Sequence, residues 1–392
     1  MSQTKSKNIG EVSELYAFAY LIGRRVISVV DGDLNPLGNT IQFLKLYRKC
    51  KTEKENVDVF TEYDIDRDVK TVRISLPDPE TGDRVEFFVP RERIKELSDD
   101  LRERIKQATN KPKKPIYDDD AILAELLTTL RAESISAKAN DKTDFGGLIT
   151  SGNGYGSHTL GFSVKSQMGS NSSLINASKT HTQAKFEIHD HGKPVTDPEK
   201  IKSIVDCGLT GSKLFRFLAS EGLKLEFQCF ESPIMTYNLN MIDSSAPEIL
   251  ALMMTQRYLM ESTYSSLDKV VEHISSDVMV DSYPFLRKYG ETTSDRIVAL
   301  KYKVKNILIA FAMGATPGTK WDGLDATTGG FLVVKKDGEV VCLELFTRNA
   351  IGHYLITKTS FEAPSTNRHG GGMFVDGNGV LCINVQLQVR FK

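Results

Sequence analysis

Two alternating segments joined by a glycine-rich loop constrain the fold of this 392-residue chain more than any other feature. The first segment, TDFGGLIT, covers residues 143–150, and the second, TLGFSVKS, covers residues 159–166. Apolar side chains recur at every second position, and this period predicts β-strands. The eight residues between the segments, SGNGYGSH, are rich in types that reverse the chain direction. The sequence therefore predicts an antiparallel hairpin.

This hairpin would bring an acid and a lysine to one face. If pairing is centred on the midpoint of the loop, Asp144 lies opposite Lys165 and Gly146 lies opposite Ser163. Directly opposed side chains have Cβ atoms about 5 Å apart. The other face of the hairpin is apolar, and its members are Phe145, Ile149, Phe162 and Val164. An acid and a lysine that meet beside small residues predict an active site.

A carboxylate beside a lysine suits phosphodiester hydrolysis assisted by a metal ion. Asp144 would hold Mg²⁺, which polarises a phosphoryl oxygen and acidifies a water molecule. Lys165 would orient or deprotonate that water and counter the charge that builds on the phosphate. PD-(D/E)xK nucleases use this arrangement, with a second acid two residues before the lysine. That position holds Ser163 here, so we expect another acid, Glu14, in a Gly-x-x-x-Glu pattern that begins at Gly10.

Several alternatives stay open at this point. Thr143 occupies the position at which the nuclease pattern has proline, and Glu11 and Glu187 are reserve candidates for the second acid. A cross-strand Asp–Lys pair is also commonly a surface salt bridge worth well under about 1 kcal/mol. Because a serine cannot replace a carboxylate as a metal ligand, a DNA-binding protein without catalytic activity is the rival interpretation.

Composition indicates the class and location of the protein, but it constrains function less than the hairpin does. The chain is 40% apolar and 26% charged, as in ordinary globular proteins, and its formal net charge of −1 indicates no global attraction to a polyanion. The five cysteines are scattered, with no Cys-x-x-Cys pair, which fits a reducing cytoplasm. No segment resembles a signal peptide or reaches membrane-spanning length, so we expect a soluble cytoplasmic protein with no membrane partner.

The pattern along the chain predicts a mixed α+β fold. In the first part of the chain we expect an amphipathic helix at 9–23 that stops at Gly23, short β-strands over 25–90, a charged helix at 91–108 and a helix capped within 118–120. Helices are expected over 198–314. Residues 329–392 should form β-structure, with a hairpin around 336–338 and one strand at 380–391. We predict a PD-(D/E)xK-like nuclease core formed by residues 1–24 and 116–200. Residues 25–115 would be an inserted small β-rich subdomain, and residues 201–392 a C-terminal α+β region that recognises the target.

Several motifs together resemble the HpaII restriction endonuclease family. They are GEVSELYAF at 10–18, KTDF at 142–145, GFSVKSQMGS at 161–170, SLINASKTHTQAKFEI at 173–188, LNMIDSSAPEI at 239–249, AFAMGATPGTKWDGL at 310–324, GGFLVVKKDGEVVCLELF at 329–346, SFEAPSTNRHGGGMF at 360–374 and INVQLQVRF at 383–391. The resemblance implies a Type II restriction endonuclease that cuts double-stranded DNA at CCGG with Mg²⁺. By position, Asp144 would ligate the metal and Lys165 would act on the water, while Ser163 would be a family trait.

The same resemblance implies partners and a recognition surface. A two-fold symmetric target favours a homodimer, although a monomer that nicks each strand in turn is an alternative. A cognate methyltransferase would act on the same site. Guanine is usually read by Arg or Lys in the major groove, and the candidate DNA contacts are Arg368, Asn367, His369, Lys320 and Gln167. Arg368 could equally brace its own loop.

Overall fold

The computed structural model describes residues 6–49, 60–78, 81–132, 134, 143–151, 158–169, 172–259, 266–362 and 372–392. The chain forms two compact units. Unit 1 comprises residues 1–172 and 326–351, and unit 2 comprises residues 173–325 and 352–392. The fold is mixed α+β, as the sequence predicts. None of the described helices is both long and apolar enough to cross a membrane.

Unit 1 contains three helices and nine strands among its described residues. The helices are α1 (Ile9–Arg24), α2 (Arg91–Thr109) and α3 (Ala121–Thr129). The strands are β1 (Val26–Val30), β2 (Pro36–Lys49), β3 (Phe60–Asp64), β4 (Thr71–Pro77), β5 (Arg84–Pro90), β6 (Phe145–Ser151), β7 (His158–Ser166), β12 (Gly330–Val334) and β13 (Val340–Glu344).

These nine strands form one sheet in the order β1-β13-β12-β7-β6-β2-β3-β4-β5. Strand β1 also pairs with β2, so that six strands close into a ring. The long β2 makes this closure possible, because its first part pairs with β1, its last part pairs with β3, and residues 41–47 pair with β6. Of the strands in residues 25–115, β2 pairs directly with β6 of the hairpin, and β3, β4 and β5 extend the sheet beyond β2. The predicted division into a nuclease core, a subdomain over 25–115 and a C-terminal region remains a prediction.

Helix α1 packs against this sheet with most of its surface buried. Its predicted stripe of Val12, Leu15, Tyr16, Ala19 and Ile22 is buried, and so are Phe18 and Leu21 outside the stripe. The helix begins after Asn8, whose side chain accepts a hydrogen bond from the Gly10 amide. It continues past the expected stop at Gly23 and ends at Arg24, because Arg25 adopts a φ of 66°.

Unit 2 contains the helical region that the sequence predicts and two smaller sheets. Its helices are α4 (Pro198–Val205), α5 (Gly211–Ser220), α6 (Pro233–Ile242), α7 (Ala246–Leu259), α8 (Leu267–Ile274), α9 (Asp277–Ser282) and α10 (Thr293–Met313), and 3₁₀ turns cover Pro284–Tyr289 and, in unit 1, Leu345–Thr347. Its strands are β8 (Ser173–Ile175), β9 (Gln183–Asp190), β10 (Lys193–Pro194), β11 (Lys224–Phe230), β14 (Thr359–Phe361), β15 (Met373–Val375), β16 (Leu381–Gln386) and β17 (Val389–Phe391).

Two predictions for the C-terminal part are wrong. Helix α11 (Arg348–Lys358), which runs from unit 1 into unit 2, interrupts the region expected to be entirely β. Its buried Ile351, Tyr354 and Leu355 have helical spacing. The run 380–391, expected as one strand, is divided between β16 and β17, which belong to different sheets. The predicted hairpin of β12 and β13 is confirmed.

Candidate active site

The hairpin of β6 and β7 exists, but its register differs from the prediction by two residues. Phe145 pairs with Phe162 and Gly146 pairs with Gly161, so Asp144 lies opposite Ser163 and not opposite Lys165. The observed register stacks the rings of Phe145 and Phe162, whose centroids are 6.3 Å apart. Because side chains alternate with a period of two, an even shift leaves every residue on its predicted face.

The shifted register still joins Asp144, Ser163 and Lys165 through hydrogen bonds. The Val164 amide donates to Asp144 Oδ2 over 2.5 Å. The Ser163 hydroxyl hydrogen-bonds to the same carboxylate and accepts a bond from Lys165 Nζ over 2.9 Å. Ser163 is only 2% exposed, so it links the acid and the lysine inside the protein.

The chain around Asp144 is held by the segment that precedes β12. Thr143 Oγ1 donates to the carbonyl oxygen of Ala326 over 2.8 Å. The Gly161 amide donates to Thr328 Oγ1 over 2.9 Å. A Cβ at Gly161 would lie 2.8 Å from the Ala326 carbonyl oxygen, so a glycine is needed for this close approach. The threonine in the expected proline position therefore anchors the start of the strand.

Helix α1 brings Glu14 to the same group of residues. The Phe18 ring, one helical turn after Glu14, packs edge-on against Phe145 with centroids 5.2 Å apart. Burial, together with the charge of Asp144, raises the pKa of Glu14 to about 8 against the lowering effect of Lys165. Burial also raises the pKa of Asp144, against the opposing effects of Lys165 and of the Val164 amide. The two carboxylates are therefore close enough to interact and are poorly solvated.

Arg48 is a fifth charged or polar residue near this group, and the sequence analysis missed it. Its positive charge lowers the pKa values of both Glu14 and Asp144. It lies on β2, and the pairing of Tyr47 with Gly146 brings this strand beside β6. No spacing in the sequence reveals this proximity, because it depends on the long-range pairing of β2 with β6. We call Glu14, Arg48, Asp144, Ser163 and Lys165 the carboxylate–lysine cluster.

The reserve acids differ in position. Glu11 lies near enough to raise the pKa of Glu14, although its effect is smaller than those of Asp144 and Lys165. Glu187 is in unit 2, where its carboxylate lies 3.0 Å from Nε2 of His189. Glu14 is therefore the candidate that the fold brings beside Asp144.

The candidate DNA contacts lie elsewhere in the chain. Lys320 is exposed in unit 2, with Nζ 4.4 Å from the ring centroid of Tyr237. Gln167 is half-buried and directly follows β7, and its backbone amide donates to the Val334 carbonyl oxygen over 2.8 Å. Arg368, Asn367 and His369 lie outside the described residues.

The donors in the cluster suit a hard divalent cation. No group of three or more His, Cys, Asp or Glu side chains among the described residues could hold a metal ion. Mg²⁺, however, usually binds through one or two carboxylates and keeps water or substrate phosphate as its other ligands. Glu14 and Asp144 provide two carboxylates, and their raised pKa values mark negative charge that a cation would stabilise.

Comparison with known proteins identifies the family of the chain. The sequence model of the HpaII restriction endonuclease family matches residues 8–391. The chain belongs to the HpaII restriction endonuclease family. It is 31% identical over 391 residues to the Type II restriction enzyme HpaII of Haemophilus parainfluenzae, covering 100% of both chains. No solved structure matches the chain significantly. Family membership confirms the predicted enzyme class, a site-specific deoxyribonuclease.

Proposed function

We propose that this protein is a Mg²⁺-dependent Type II restriction endonuclease that hydrolyses double-stranded DNA at CCGG in the cytoplasm. The single observation that carries the catalytic part is the linkage of Asp144, Ser163 and Lys165 on the hairpin, with Glu14 beside them. The target sequence is that implied by the resemblance to the HpaII family. A cognate methyltransferase would act on the same sequence.

Each residue of the site has a distinct role in this proposal. Asp144 and Glu14 would hold the divalent ion, which when bound would polarise the scissile phosphate and acidify a water molecule. The Lys165 ammonium would orient the attacking water and stabilise charge that develops on the phosphate. Ser163 would position Lys165, because its buried hydroxyl accepts a hydrogen bond from Nζ.

The serine also keeps the lysine from pairing directly with a carboxylate. A direct ion pair would use the ammonium charge to neutralise a metal ligand. A neutral hydroxyl restrains Nζ while leaving its charge available to the phosphate, since an ammonium group has three donors. In this proposal the acid absent from position 163 is supplied by Glu14 on α1.

Target recognition would come from residues outside this cluster. Lys320, Arg368, Asn367, His369 and Gln167 remain the proposed DNA contacts. Lys320 belongs to a loop that Asn238 organises, because the buried Asn238 amide nitrogen donates to the carbonyl oxygens of Thr316 and Thr319. Its Oδ1 accepts a bond from the Trp321 amide over 2.9 Å. A loop fixed in this way would present the exposed Lys320 in a defined position to a guanine edge or a phosphate.

Plasmid cleavage tests the proposal directly. We expect the wild type with Mg²⁺ to convert plasmid DNA into discrete fragments whose ends map to CCGG, and EDTA to prevent this. Lys165→Ala should reduce the cleavage rate about 10³-fold or more, because the site loses the group that acts on water and phosphate. Lys185→Ala, a lysine of unit 2 that pairs with Asp376, is the control and should cut like the wild type.

The rival function is sequence-specific DNA binding without catalysis. Retention of a CCGG duplex with no cleavage by either the wild type or Lys165→Ala would favour the rival. Discrete fragments with ends at another sequence would contradict the CCGG assignment and leave the nuclease assignment intact.

A further inference from the structure

The outer face of α10 in unit 2 carries two large apolar side chains that are mostly exposed. Val298 is 68% exposed and Tyr302 is 69% exposed. The opposite face of the same helix is fully buried, through Leu300, Val304 and Ile307. Because residues four apart lie on the same side of a helix, Val298 and Tyr302 form one continuous patch. A helix that is apolar on both faces has a second surface to bury.

Charged residues of opposite sign stand at the two ends of this patch. Asp295 precedes Val298 by three residues, and Lys305 follows Tyr302 by three residues. Steps of three, four and three residues keep all four side chains on one face of a helix. We call Asp295, Val298, Tyr302 and Lys305 the α10 seam.

The α10 seam is complementary to itself when one copy is reversed. Its spacing is the same in both directions, whereas the acid and the base exchange ends. In an antiparallel pair with its two-fold axis beside residue 300, Val298 would face the partner's Tyr302, and Asp295 would face the partner's Lys305. A two-fold interface needs such a pattern, because residue i of one copy contacts residue j of the other and the reverse also holds.

The three lysines of α10 differ in their partners. Lys301 Nζ lies 2.7 Å from Glu272 Oε1, and Lys303 Nζ lies 2.5 Å from Asp243 Oδ2, so both are neutralised within unit 2. Lys305 forms no salt bridge with any residue that the structure describes. The face beside the seam is therefore not a general basic surface, and Lys305 is available to a carboxylate of another chain.

Both charged ends of the seam are held in position. Asp295 Oδ2 accepts a hydrogen bond from Thr292 Oγ1 over 2.7 Å, and the exposed carboxylate keeps lone pairs for a further donor. The stem of Lys305 packs against α11, where a Cβ at Gly352 would lie 3.2 Å from Lys305 Cβ and Cδ. Less side-chain freedom would therefore be lost when these groups pair.

We infer that the α10 seam is the centre of a two-fold symmetric interface through which two copies of this chain associate, with their α10 helices antiparallel. Contact between Val298 and the partner's Tyr302 would remove apolar surface from water twice in each dimer. The two pairs of Asp295 with the partner's Lys305 would fix the register of the helices. This association goes beyond the proposed nuclease function and does not depend on it.

Sedimentation of the full chain without DNA, at increasing protein concentration, tests the interface. We expect the wild type to associate from 43.7 kDa to twice that mass. Lys305→Glu would oppose the partner's Asp295 at two symmetric places and should raise the dimer dissociation constant about tenfold or more. Asp295→Lys should have a similar effect, and its backbone amide can still donate to the Thr292 hydroxyl, which caps the helix.

A mixture of these two variants tests the antiparallel register itself. In the mixed dimer, the glutamate at position 305 of one chain faces the lysine at position 295 of the other, and the unchanged Asp295 and Lys305 face each other. Both pairs are then of opposite sign. We expect the mixture to sediment as a dimer at concentrations where each variant alone is a monomer.

Two further variants separate the seam from general effects of charge. Lys213→Glu changes an exposed lysine on α5 of the same unit, alters the net charge equally, and should leave the dissociation constant unchanged. Tyr302→Ala should raise it about tenfold or more, because the lost contact occurs twice in the dimer. Thermal melting of all variants would show that each remains folded.

A wild type that stays monomeric at every concentration would overturn the inference. So would a dimer that Lys305→Glu and Tyr302→Ala leave unchanged, or a mixture that gives no rescue. An intact dimer with reduced affinity for a CCGG duplex in Lys305→Glu would assign this face to DNA instead. An intact plasmid after incubation with Mg²⁺ would contradict only the nuclease function, because sedimentation does not require cleavage.

Discussion

Ser163 links an acid and a lysine although it carries no charge itself. It occupies the position where the nuclease pattern expects an acid, yet its hydroxyl contacts both Asp144 and Lys165. Another acid lies on α1, where Glu14 interacts with Asp144 through space. The cluster therefore contains two carboxylates, although neither of them stands at position 163.

Glu14 gives a stability prediction with a definite sign. Its folded pKa, about 8, lies above the ordinary value of 4.5, so between these pH values the folded state binds more protons than the unfolded state. The free energy of unfolding of the metal-free protein should therefore fall as pH rises through this window. From pH 6 to pH 8 we expect a loss of about 2 kcal/mol, measured by denaturant unfolding in EDTA.

Glu14→Gln should remove most of that loss, because a neutral amide has no proton to release. Glu92→Gln changes an exposed glutamate in the first turn of α2 and should retain the dependence of the wild type. Millimolar Mg²⁺ should restore stability at pH 8 to the wild type more than to Glu14→Gln, because binding to the folded state stabilises it. Equal pH dependence in both variants would contradict the assignment.

At the scale of elements, the hairpin contains two adjacent glycines with different surroundings, and only one of them is required by the packing. A Cβ at Gly147 would lie 2.8 Å from Phe43 Cε1 and 3.2 Å from Phe162 Cε2. The nearest atom to a Cβ at Gly146 would be Tyr47 Cβ, at an ordinary 3.5 Å. The absence of a side chain at position 147 therefore allows the phenylalanine rings of β2 and β7 to meet, with centroids 5.2 Å apart.

Alanine substitutions test this difference. Gly147→Ala should lower the free energy of unfolding by about 1–3 kcal/mol, because an added methyl group overpacks the core. Gly146→Ala should change it by no more than about 0.5 kcal/mol. Denaturant unfolding of both variants at one pH measures the difference. Similar losses in the two variants would contradict this account of the packing.

The sequence predicted elements better than it predicted their pairing. Periodicity identified α1, and strong turn signals identified the hairpin of β12 and β13. The β6–β7 register was wrong by two residues, because the loop alone does not reveal that Phe145 and Phe162 stack. The faces were nevertheless correct, since any even shift preserves them.

Long-range pairing explains most of what the sequence could not predict about the site. Asp144, Lys165 and Glu14 could be proposed from spacing and a known pattern. Arg48 could not, because its proximity to Glu14 depends on the pairing of β2 with β6, about a hundred residues away in sequence. Helix α11 was missed although Ile351, Tyr354 and Leu355 have helical spacing, because the surrounding segments are strongly β-like.

At the scale of the whole molecule, the number of active sites bears on oligomeric state. The described part of the chain contains one carboxylate–lysine cluster, whereas a two-fold symmetric duplex target has two scissile bonds. A C₂ homodimer would present one cluster to each strand. We therefore propose that the active form is a homodimer.

Cleavage of a plasmid with a single CCGG site tests this proposal. A dimer should produce linear DNA with little nicked intermediate, because both strands are cut in one binding event. Sedimentation of the complex with a short CCGG duplex should give a protein mass of about twice the 43.7 kDa of one chain. A monomer bound per duplex, with accumulation of nicked circles, would favour the alternative of sequential nicking.

The closed ring of six strands makes distant parts of the chain depend on one another. Strand β1, which directly follows the helix that carries Glu14, pairs with β13 near the C-terminal end and with β2, which carries Arg48. A nuclease reduced to α1 and the hairpin would lose these neighbours. Natural variation in this enzyme is therefore expected mainly in the turns between strands. Loss of any strand would open the ring and disturb the carboxylate–lysine cluster.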